Sequence, residues 1–201
     1  MKFKKITVCV GELAPIEVNT YLEEKLSIQI DVPVYLDSRY ILLTHAHYDH
    51  IADIEKTKNA TIFIHERELD VLHNYNLHEF FTEDFTIPEL NLQILKGDSG
   101  EIRLNGATIQ WLHTPGHTAG SVCYFVENFI FTGDFVFAES IGRYDLPTSS
   151  YEDMLKSLEK FKKTVKNIKH PSNFIICPGH SSRIRLPLLL KLNPFILQSE
   201  P

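Results

Sequence analysis

Four residues with metal-ligating side chains lie within six positions, in the segment Thr44-His-Ala-His-Tyr-Asp-His50. They are His45, His47, Asp49 and His50. Imidazole and carboxylate groups together suit a hydrolytic divalent cation, usually zinc. A single histidine is more often a surface or core residue than a ligand, but this combination at this spacing predicts a metal site.

Three further candidate ligands each follow an apolar run that is typical of a buried strand. They are His117 in Thr-Pro-Gly-His117, Asp134 in Thr-Gly-Asp134 and His180 in Pro-Gly-His180. The glycine before each of them allows a tight turn. Because binding crevices lie beyond the ends of strands in open sheets with helices, we expect the four segments to meet at one edge of the fold.

Seven ligands are too many for one tetrahedral zinc but suit two metal ions that share a carboxylate. Asp134 would give one oxygen to each ion. The ligands expected to complete the first site are His45, His47 and His117. The ligands expected to complete the second site are Asp49, His50 and His180. Two ions about 3.5–4 Å apart can share a water as hydroxide, which attacks an acyl or phosphoryl group.

The elements that position these residues are predicted to be short strands with a few helices. Strands are predicted at residues 6–10, 19–22, 27–30, 41–43, 61–64, 101–104, 108–112, 122–126, 129–132 and 174–177. Helices are predicted at residues 51–59, at residues 66–72 and from Tyr151 onward, the last with a capping box formed by Ser149 and Glu152. Residues 74–92 have no clear period and are predicted to be an irregular loop over the substrate entrance.

The size and charge of the chain restrict its partners. With 201 residues it fits one domain, and its formal charge of −6 gives no general attraction to nucleic acid. No apolar run reaches membrane-spanning length, and the start lacks a signal-peptide core. We therefore expect a cytoplasmic protein with a small-molecule substrate, without a nucleic-acid or membrane partner, and of unknown oligomeric state. The three cysteines are expected to be buried thiols: Cys9, Cys123 and Cys177.

Taken together, the motifs resemble those of the metallo-β-lactamase superfamily. These motifs are His-x-His-x-Asp-His, Thr-Pro-Gly-His117-Thr-Ala-Gly-Ser, Thr-Gly-Asp134 and Pro-Gly-His180. The resemblance implies a single domain over residues 1–201, folded as a four-layer αββα sandwich of two mixed β-sheets flanked by helices. It also implies that the metals lie at one edge of the sandwich, held by the seven residues above.

A narrower resemblance comes from residues 133–147 and from Asn193-Pro-Phe195. These segments are similar to those of the short glyoxalase-II-like hydrolases, which implies a thioesterase that acts on an acylglutathione. In that reading Asp49 orients the hydroxide and relays its proton, while Arg143 and Tyr144 are candidates for binding the substrate. Two departures are expected: the connection at residues 32–38 is too short for the usual helix, and the C-terminal glutathione-binding helical domain is absent.

Three alternatives remain open at this point. One is a persulfide dioxygenase with a single iron held by His45, His117 and Asp134. A second is a lactonase or phosphodiesterase that uses the same two metals. A third is an inactive protein that keeps the metal for stability. The expected cofactor is a pair of divalent ions, with zinc preferred and iron or manganese as alternatives.

Overall fold

The computed structural model of the protein describes residues 1–11, 15–74 and 87–198, and within them two β-sheets form. The first sheet has six strands in the spatial order β1-β2-β3-β4-β5-β6. Its strands are β1 (Lys4–Val10), β2 (Ile16–Glu23), β3 (Ile28–Ile30), β4 (Tyr40–Leu42), β5 (Thr61–His65) and β6 (Asn91–Leu95). The first three strands are antiparallel, whereas β3 to β6 run parallel to one another.

The second sheet also has six strands, in the order β12-β11-β10-β9-β8-β7. Its strands are β7 (Ser99–Leu104), β8 (Ala107–His113), β9 (Val122–Val126), β10 (Phe129–Gly133), β11 (Ile175–Pro178) and β12 (Ile184–Arg185). Only β10 and β11 are parallel neighbours. Both sheets are therefore mixed, as predicted.

In the described part of the chain, five α-helices cover the outer faces of the sheets. They are α1 (Tyr48–Ile51), α2 (Leu69–His73), α3 (Tyr151–Lys166), α4 (Leu186–Leu192) and α5 (Pro194–Gln198). Short 3-10 turns occur at Ile54–Lys56, Glu66–Glu68 and Pro171–Asn173. Among the described residues, no helix has the length and hydropathy needed to cross a bilayer.

Three apolar cores correspond to the three interfaces between four layers. The cluster between the two sheets contains Tyr21 and Phe131. A second cluster packs Phe161 of α3 against the outer face of the second sheet, and a third packs Ile51 of α1 and Val71 of α2 against the first sheet. This layering confirms the predicted αββα sandwich, because each sheet buries one face against the other sheet and one against helices.

Asn105-Gly106 forms the turn of a β-hairpin between β7 and β8. Both residues adopt positive φ, +47° and +83°, and Leu104 pairs with Ala107 across the turn. Two consecutive positive φ values are typical of the type I′ turn, whose twist matches that of antiparallel strands.

The helix predicted at residues 51–59 is wrong in length, because α1 ends at Ile51. The backbone N–H of Asp53 donates to Val32 O, and His50 O accepts from Val32 N. These bonds to the 32–38 connection replace the i→i−4 bonds that would continue the helix. The connection itself contains no helix, as expected.

Cys9 was predicted to be buried but is exposed, because β1 lies at the edge of its sheet; Cys123 and Cys177 are buried. No element was predicted for the region of α4 and α5. Most of the loop predicted at residues 74–92 lies outside the described residues, and its last two positions begin β6.

The N-cap of α3 is Ser150 rather than the predicted Ser149. Ser150 Oγ accepts a hydrogen bond of 3.2 Å from Asp153 N, while Ser149 Oγ donates to Leu146 O. We expect Ser150→Ala to lower the free energy of unfolding by about 1 kcal/mol, since an N–H of the first turn loses its acceptor. Urea denaturation should give a smaller loss for Ser149→Ala, and an equal or larger loss there would contradict the assignment.

Candidate metal centre

The structure brings all seven predicted ligands together at one edge of the two sheets. The segment carrying His45 and His47 follows β4, and Asp49 and His50 lie in α1. The other three follow strands of the second sheet. His117 comes after β8, Asp134 directly follows β10, and His180 comes after β11. Their assignment as ligands stays a prediction, whereas their proximity is a property of the fold.

Three histidines form one group, which we call the imidazole site: His45, His47 and His117. Each has a ring nitrogen within 4.8 Å of the others. His47 Nδ1 and His117 Nε2 are 2.9 Å apart, and the rings of His45 and His117 are centred 4.9 Å apart. Three converging imidazoles are typical of a zinc or iron site.

A second group, which we call the mixed site, consists of Asp49, His50 and His180, again within 4.8 Å of one another. Asp134 lies between the two sites. Its Oδ1 is 3.3 Å from His50 Nε2, and its Oδ2 is 3.1 Å from His180 Nε2 and 3.7 Å from His117 Nε2. One carboxylate therefore faces ligands of both sites, as a bridging ligand must.

The residues present fit bound cations, and buried atoms without partners support this. His45 Nε2, His47 Nε2 and Asp134 Oδ1 are buried and have no hydrogen-bond partner. Leaving such atoms unpaired costs free energy. His45, His50 and Asp134 each offer a ligand atom within 4.8 Å of the others, so a divalent ion held there would give buried polar atoms of this cluster a partner.

The electrostatics of the imidazole site favour neutral rings. Burial, followed by the neighbouring histidines, holds the pKa of His45 well below its ordinary value and lowers the pKa of His47 to about 3. Burial also lowers the pKa of His117. Neutral imidazole is the form that binds a metal, so these three residues need not lose a proton to do so.

The mixed site is different because carboxylates surround it. Burial opposes the charged form of His180, but Asp134 and Asp49 raise its pKa to about 10. Burial likewise disfavours charged His50, yet the three carboxylates of Asp49, Asp134 and Asp31 raise its pKa well above the ordinary value. Without a cation, these imidazoles neutralise the carboxylates; a bound cation would take over that role.

Asp31 is part of this centre and was not predicted. Its Oδ2 accepts from His50 Nδ1 at 2.8 Å and from Thr44 Oγ1 at 2.8 Å, and its Oδ1 accepts from Thr44 N at 2.7 Å. It thereby orients His50 with Nε2 toward the other ligands. The available signal was its position after a strand-like run, which it shares with the predicted ligands.

Asn19 was also missed, and it holds the turn that carries His180. Its backbone N–H donates to Gly179 O at 2.6 Å, and its Nδ2 donates to Pro178 O at 3.1 Å and Ser181 O at 2.9 Å. These bonds cross from β2 of the first sheet to the second sheet. No local pattern in the sequence pointed to this contact.

The predicted substrate residues lie beside the imidazole site. Arg143 O accepts from His117 Nδ1 at 2.8 Å, while the Arg143 guanidinium pairs with Asp145 through Nε at 2.9 Å. Tyr144 is 43% exposed, with its ring centred 4.6 Å from that of Tyr151. The backbone of Arg143 thus orients a candidate ligand, and the role of both side chains in substrate binding stays a prediction.

His113 and His65 are not among the candidate ligands, and both hold neighbouring loops through hydrogen bonds. Their rings stack at 3.9 Å with an interplanar angle of 10°. His113 Nε2 bonds to Ala119 O at 2.9 Å, which closes the loop that carries His117, and His65 Nε2 bonds to Gly97 O at 3.0 Å.

Glu68 was not singled out from the sequence, although it is fully buried beside the imidazole site. Its carboxylate accepts hydrogen bonds from Ala46 N, Thr118 Oγ1 and Gly120 N. Burial raises the pKa of Glu68 to about 7 from its ordinary 4.5, and the three hydrogen bonds act in the opposite direction.

This shift predicts a pH dependence of stability. Because the folded pKa of Glu68 lies above the unfolded one, its favourable contribution is complete below pH 4.5 and is lost as the pH rises through about 7. The expected loss is about 3 kcal/mol, at about 1.4 kcal/mol per pKa unit. The check is urea unfolding of metal-free protein between about pH 4.5 and 7.5. The difference between wild type and Glu68→Gln should decline with pH, and a flat difference would contradict the shift.

Comparison with known proteins gives one family and several relatives. A family model described as the metallo-beta-lactamase superfamily matches residues 36–180. A probable metallo-hydrolase of Streptococcus pyogenes serotype M6 is 32% identical over 168 residues, which cover 77% of this chain and 69% of that protein. A probable polyketide biosynthesis zinc-dependent hydrolase, BaeB of Bacillus velezensis, is 32% identical over 149 residues, 73% of this chain and 58% of that protein. The match thus spans less than two thirds of BaeB.

Two solved structures are similar over nearly the whole chain. The BLEG-1 B3 metallo-beta-lactamase has a TM-score of 0.79 and 27% identity, and the match covers 97% of this chain and 99% of that one. A protein crystallised in a di-iron-bound form has a TM-score of 0.71 and 27% identity, with 94% and 99% covered. Both share the sandwich architecture.

Proposed function

The chain belongs to the metallo-β-lactamase superfamily and is a metal-dependent hydrolase, and we propose that it cleaves a thioester such as an acylglutathione. The overall reaction adds water across the acyl carbon–sulfur bond, so that a carboxylic acid and a thiol are released. The names of the curated relatives support hydrolysis at a metal centre. The thioester comes from the resemblance of residues 133–147 to the glyoxalase-II-like hydrolases.

The observation that carries the proposal is the pair of adjacent ligand groups that face one carboxylate. The imidazole site and the mixed site each have three ligand atoms within 4.8 Å of one another, and Asp134 Oδ2 lies 3.7 Å from His117 Nε2 of the first and 3.1 Å from His180 Nε2 of the second. Divalent ions held there would supply a water of lowered pKa and positive charge for an oxygen that becomes anionic. Zinc is the proposed metal, and the di-iron relative makes iron the alternative.

The residues of the chain have separate roles in this proposal. Asp49, with Oδ2 at 3.2 Å from His180 Nε2, orients the attacking water and takes up its proton. Asp31 fixes the ring of His50 and the Arg143 carbonyl fixes that of His117. The ordering of these groups before substrate arrives lowers the reorganisation needed during reaction.

The rim of the site supports a small anionic substrate. The Arg143 side chain is half-exposed, and its ion pair with the exposed Asp145 is a type of contact that contributes little to stability. A substrate carboxylate can therefore replace Asp145 as the partner of the guanidinium fork. Tyr144 next to it offers an exposed ring for an apolar part of the substrate.

A second candidate function is hydrolysis of a β-lactam amide. It is favoured by the likeness to the BLEG-1 B3 metallo-beta-lactamase, at a TM-score of 0.79. The two reactions differ at the leaving group. A thiol is more acidic than an amine, so a thiolate departs without a proton, whereas an amide nitrogen needs a proton donor.

A substrate panel on protein with measured metal content tests both functions. The panel contains an acylglutathione, a chromogenic cephalosporin, a lactone, a phosphodiester and, with an oxygen electrode, a persulfide. We expect two metal ions per chain and the highest kcat/KM on the thioester, with His47→Ala inactive. Cleavage of the cephalosporin alone would replace the proposal by the second candidate. Oxygen uptake on the persulfide with one iron per chain, or no turnover with metal fully loaded, would overturn it.

A further inference from the structure

We propose that Glu68 is a positioning residue that sets the spacing between His47 and His117, so that it controls metal affinity at the imidazole site and leaves the mixed site unchanged. The inference rests on the proposed function only in its assumption that metal binds at these sites. It extends that function by stating that different residues position the two metal sites.

The first support is the set of hydrogen bonds around the Glu68 carboxylate. Oε1 accepts from Ala46 N at 2.9 Å. Oε2 accepts from Thr118 Oγ1 at 2.8 Å and from Gly120 N at 2.9 Å. The two oxygens therefore bind two different loops.

The second support is that both of these loops carry ligands of the imidazole site. Ala46 is the residue between His45 and His47, and Thr118 directly follows His117. One rigid carboxylate thus connects the backbone of two ligands in the first sheet with the loop of the third ligand in the second sheet. Glu68 is fully buried, and a hydrogen bond shielded from water is stronger than an exposed one, so the connection is stiff. The result is the 2.9 Å approach of His47 Nδ1 to His117 Nε2.

The third support is the space that the chain keeps open for this carboxylate. A Cβ added at Gly120 would lie 2.5 Å from Glu68 N and 2.5 Å from Glu68 Oε2. Any side chain at position 120 would therefore displace Glu68. Thr118 is held in turn by Ser121, whose Oγ lies 2.7 Å from Thr118 Oγ1 and accepts from Thr118 N at 3.1 Å.

The mixed site is held by other residues. Asn19 fixes the turn that carries His180, and Asp31 fixes His50. Within the described residues, the hydrogen bonds recorded for the Glu68 carboxylate all go to the loops of the imidazole site. A substitution of Glu68 should therefore alter the imidazole site, and a substitution of Asn19 should alter the mixed site.

The experiment compares Glu68→Gln with Asn19→Ala and with the exposed matched control Glu55→Gln. The Gln side chain keeps the size of Glu but presents an N–H₂ to a backbone N–H, which breaks the connection without leaving a cavity. Thr118→Val removes one hydrogen bond of the connection and serves if Glu68→Gln does not fold. Zn²⁺ affinities come from competition with a chromophoric chelator, and the folded state is checked by thermal unfolding of metal-free protein.

Co²⁺ spectra identify the site that is affected. His180→Ala loaded with Co²⁺ gives a reference spectrum for the imidazole site, and His47→Ala gives one for the mixed site. We expect Glu68→Gln to lose about 10–100-fold in affinity for one ion and to lose the imidazole-site spectrum at limiting Co²⁺. Asn19→Ala should lose the mixed-site spectrum, and Glu55→Gln should keep both spectra.

The inference would be overturned if folded Glu68→Gln lowered the affinity for both ions equally, or the affinity for neither. A wild-type protein that binds no metal would overturn it as well. Failure of the proposed function has a different signature. A protein that binds two Zn²⁺ and shows the site-selective loss, but cleaves no thioester, would refute the substrate and keep the role of Glu68.

Discussion

Asp134→Ala is expected to lower kcat/KM by about 10³-fold or more, and the variant should not retain two metal ions. The carboxylate has one oxygen 3.3 Å from His50 Nε2 and the other 3.1 Å from His180 Nε2 and 3.7 Å from His117 Nε2. Asp134 thus faces ligands of both sites. A bound metal contributes several kcal/mol to the stabilisation of developing charge, and about 4 kcal/mol corresponds to 10³ in rate.

Metal analysis and kinetics on the same preparations check this result. Asp70→Asn is the matched control, because Asp70 is an exposed carboxylate on α2 away from the ligands. It should keep both ions and full activity. Asp134→Ala that still held two ions after dialysis, with activity within tenfold of wild type, would show that Asp134 does not bridge the sites.

The seven candidate ligands could be predicted because each one carries its own local signal. A cluster of histidines and aspartate directly after an apolar run, or a single one after a glycine turn that follows such a run, is recognised without knowledge of the partner segments. The same runs predict buried strands, and a strand that is apolar on both faces must be covered on both sides. The resemblance of the four motifs to a known superfamily then supplied the order of the layers.

The residues that hold the ligands could not be predicted in this way. Glu68 lies in Glu66-Arg-Glu68, which reads as a solvated start of a helix, and its partners are 22, 50 and 52 positions away. Asn19 meets the His180 turn across about 160 positions, with separations of 159 and 162. Burial of such polar groups depends on how two distant loops pack, and a periodic pattern along one segment contains no information about that.

The early end of α1 has a similar cause. Residues 51–59 have helical spacing, but the short connection at residues 32–38 docks against them. Tyr35 N donates to Asp53 Oδ2 at 2.9 Å, and Asp53 N donates to Val32 O at 3.0 Å. Tertiary hydrogen bonds here outweigh a helix propensity of a few tenths of a kcal/mol per residue.

Gly179→Ala is expected to reduce kcat/KM by about 10²-fold although it changes no ligand. A Cβ at position 179 would lie 2.3 Å from Asp134 Oδ1 and 2.4 Å from His50 Cε1, which is closer than real Cβ contacts allow. The turn is fixed from the other sheet by Asn19 N, so the turn cannot retreat and the two side chains must move. A displacement of about 1 Å in a catalytic centre is enough for a loss of this size.

Gly106→Ala separates this effect from a general loss of stability. Gly106 has a φ of +83° and no atom within 4 Å of an added Cβ, so alanine there strains the backbone without touching the centre. It should cost about 1–2 kcal/mol of stability and keep both metal ions and activity. Gly179→Ala should show the reverse: a modest change in the melting temperature with weaker binding of metal at the mixed site. Equal activity in the two variants would mean that the Gly179 turn can shift, and that the contact between β2 and the His180 segment does not fix the position of the ligands.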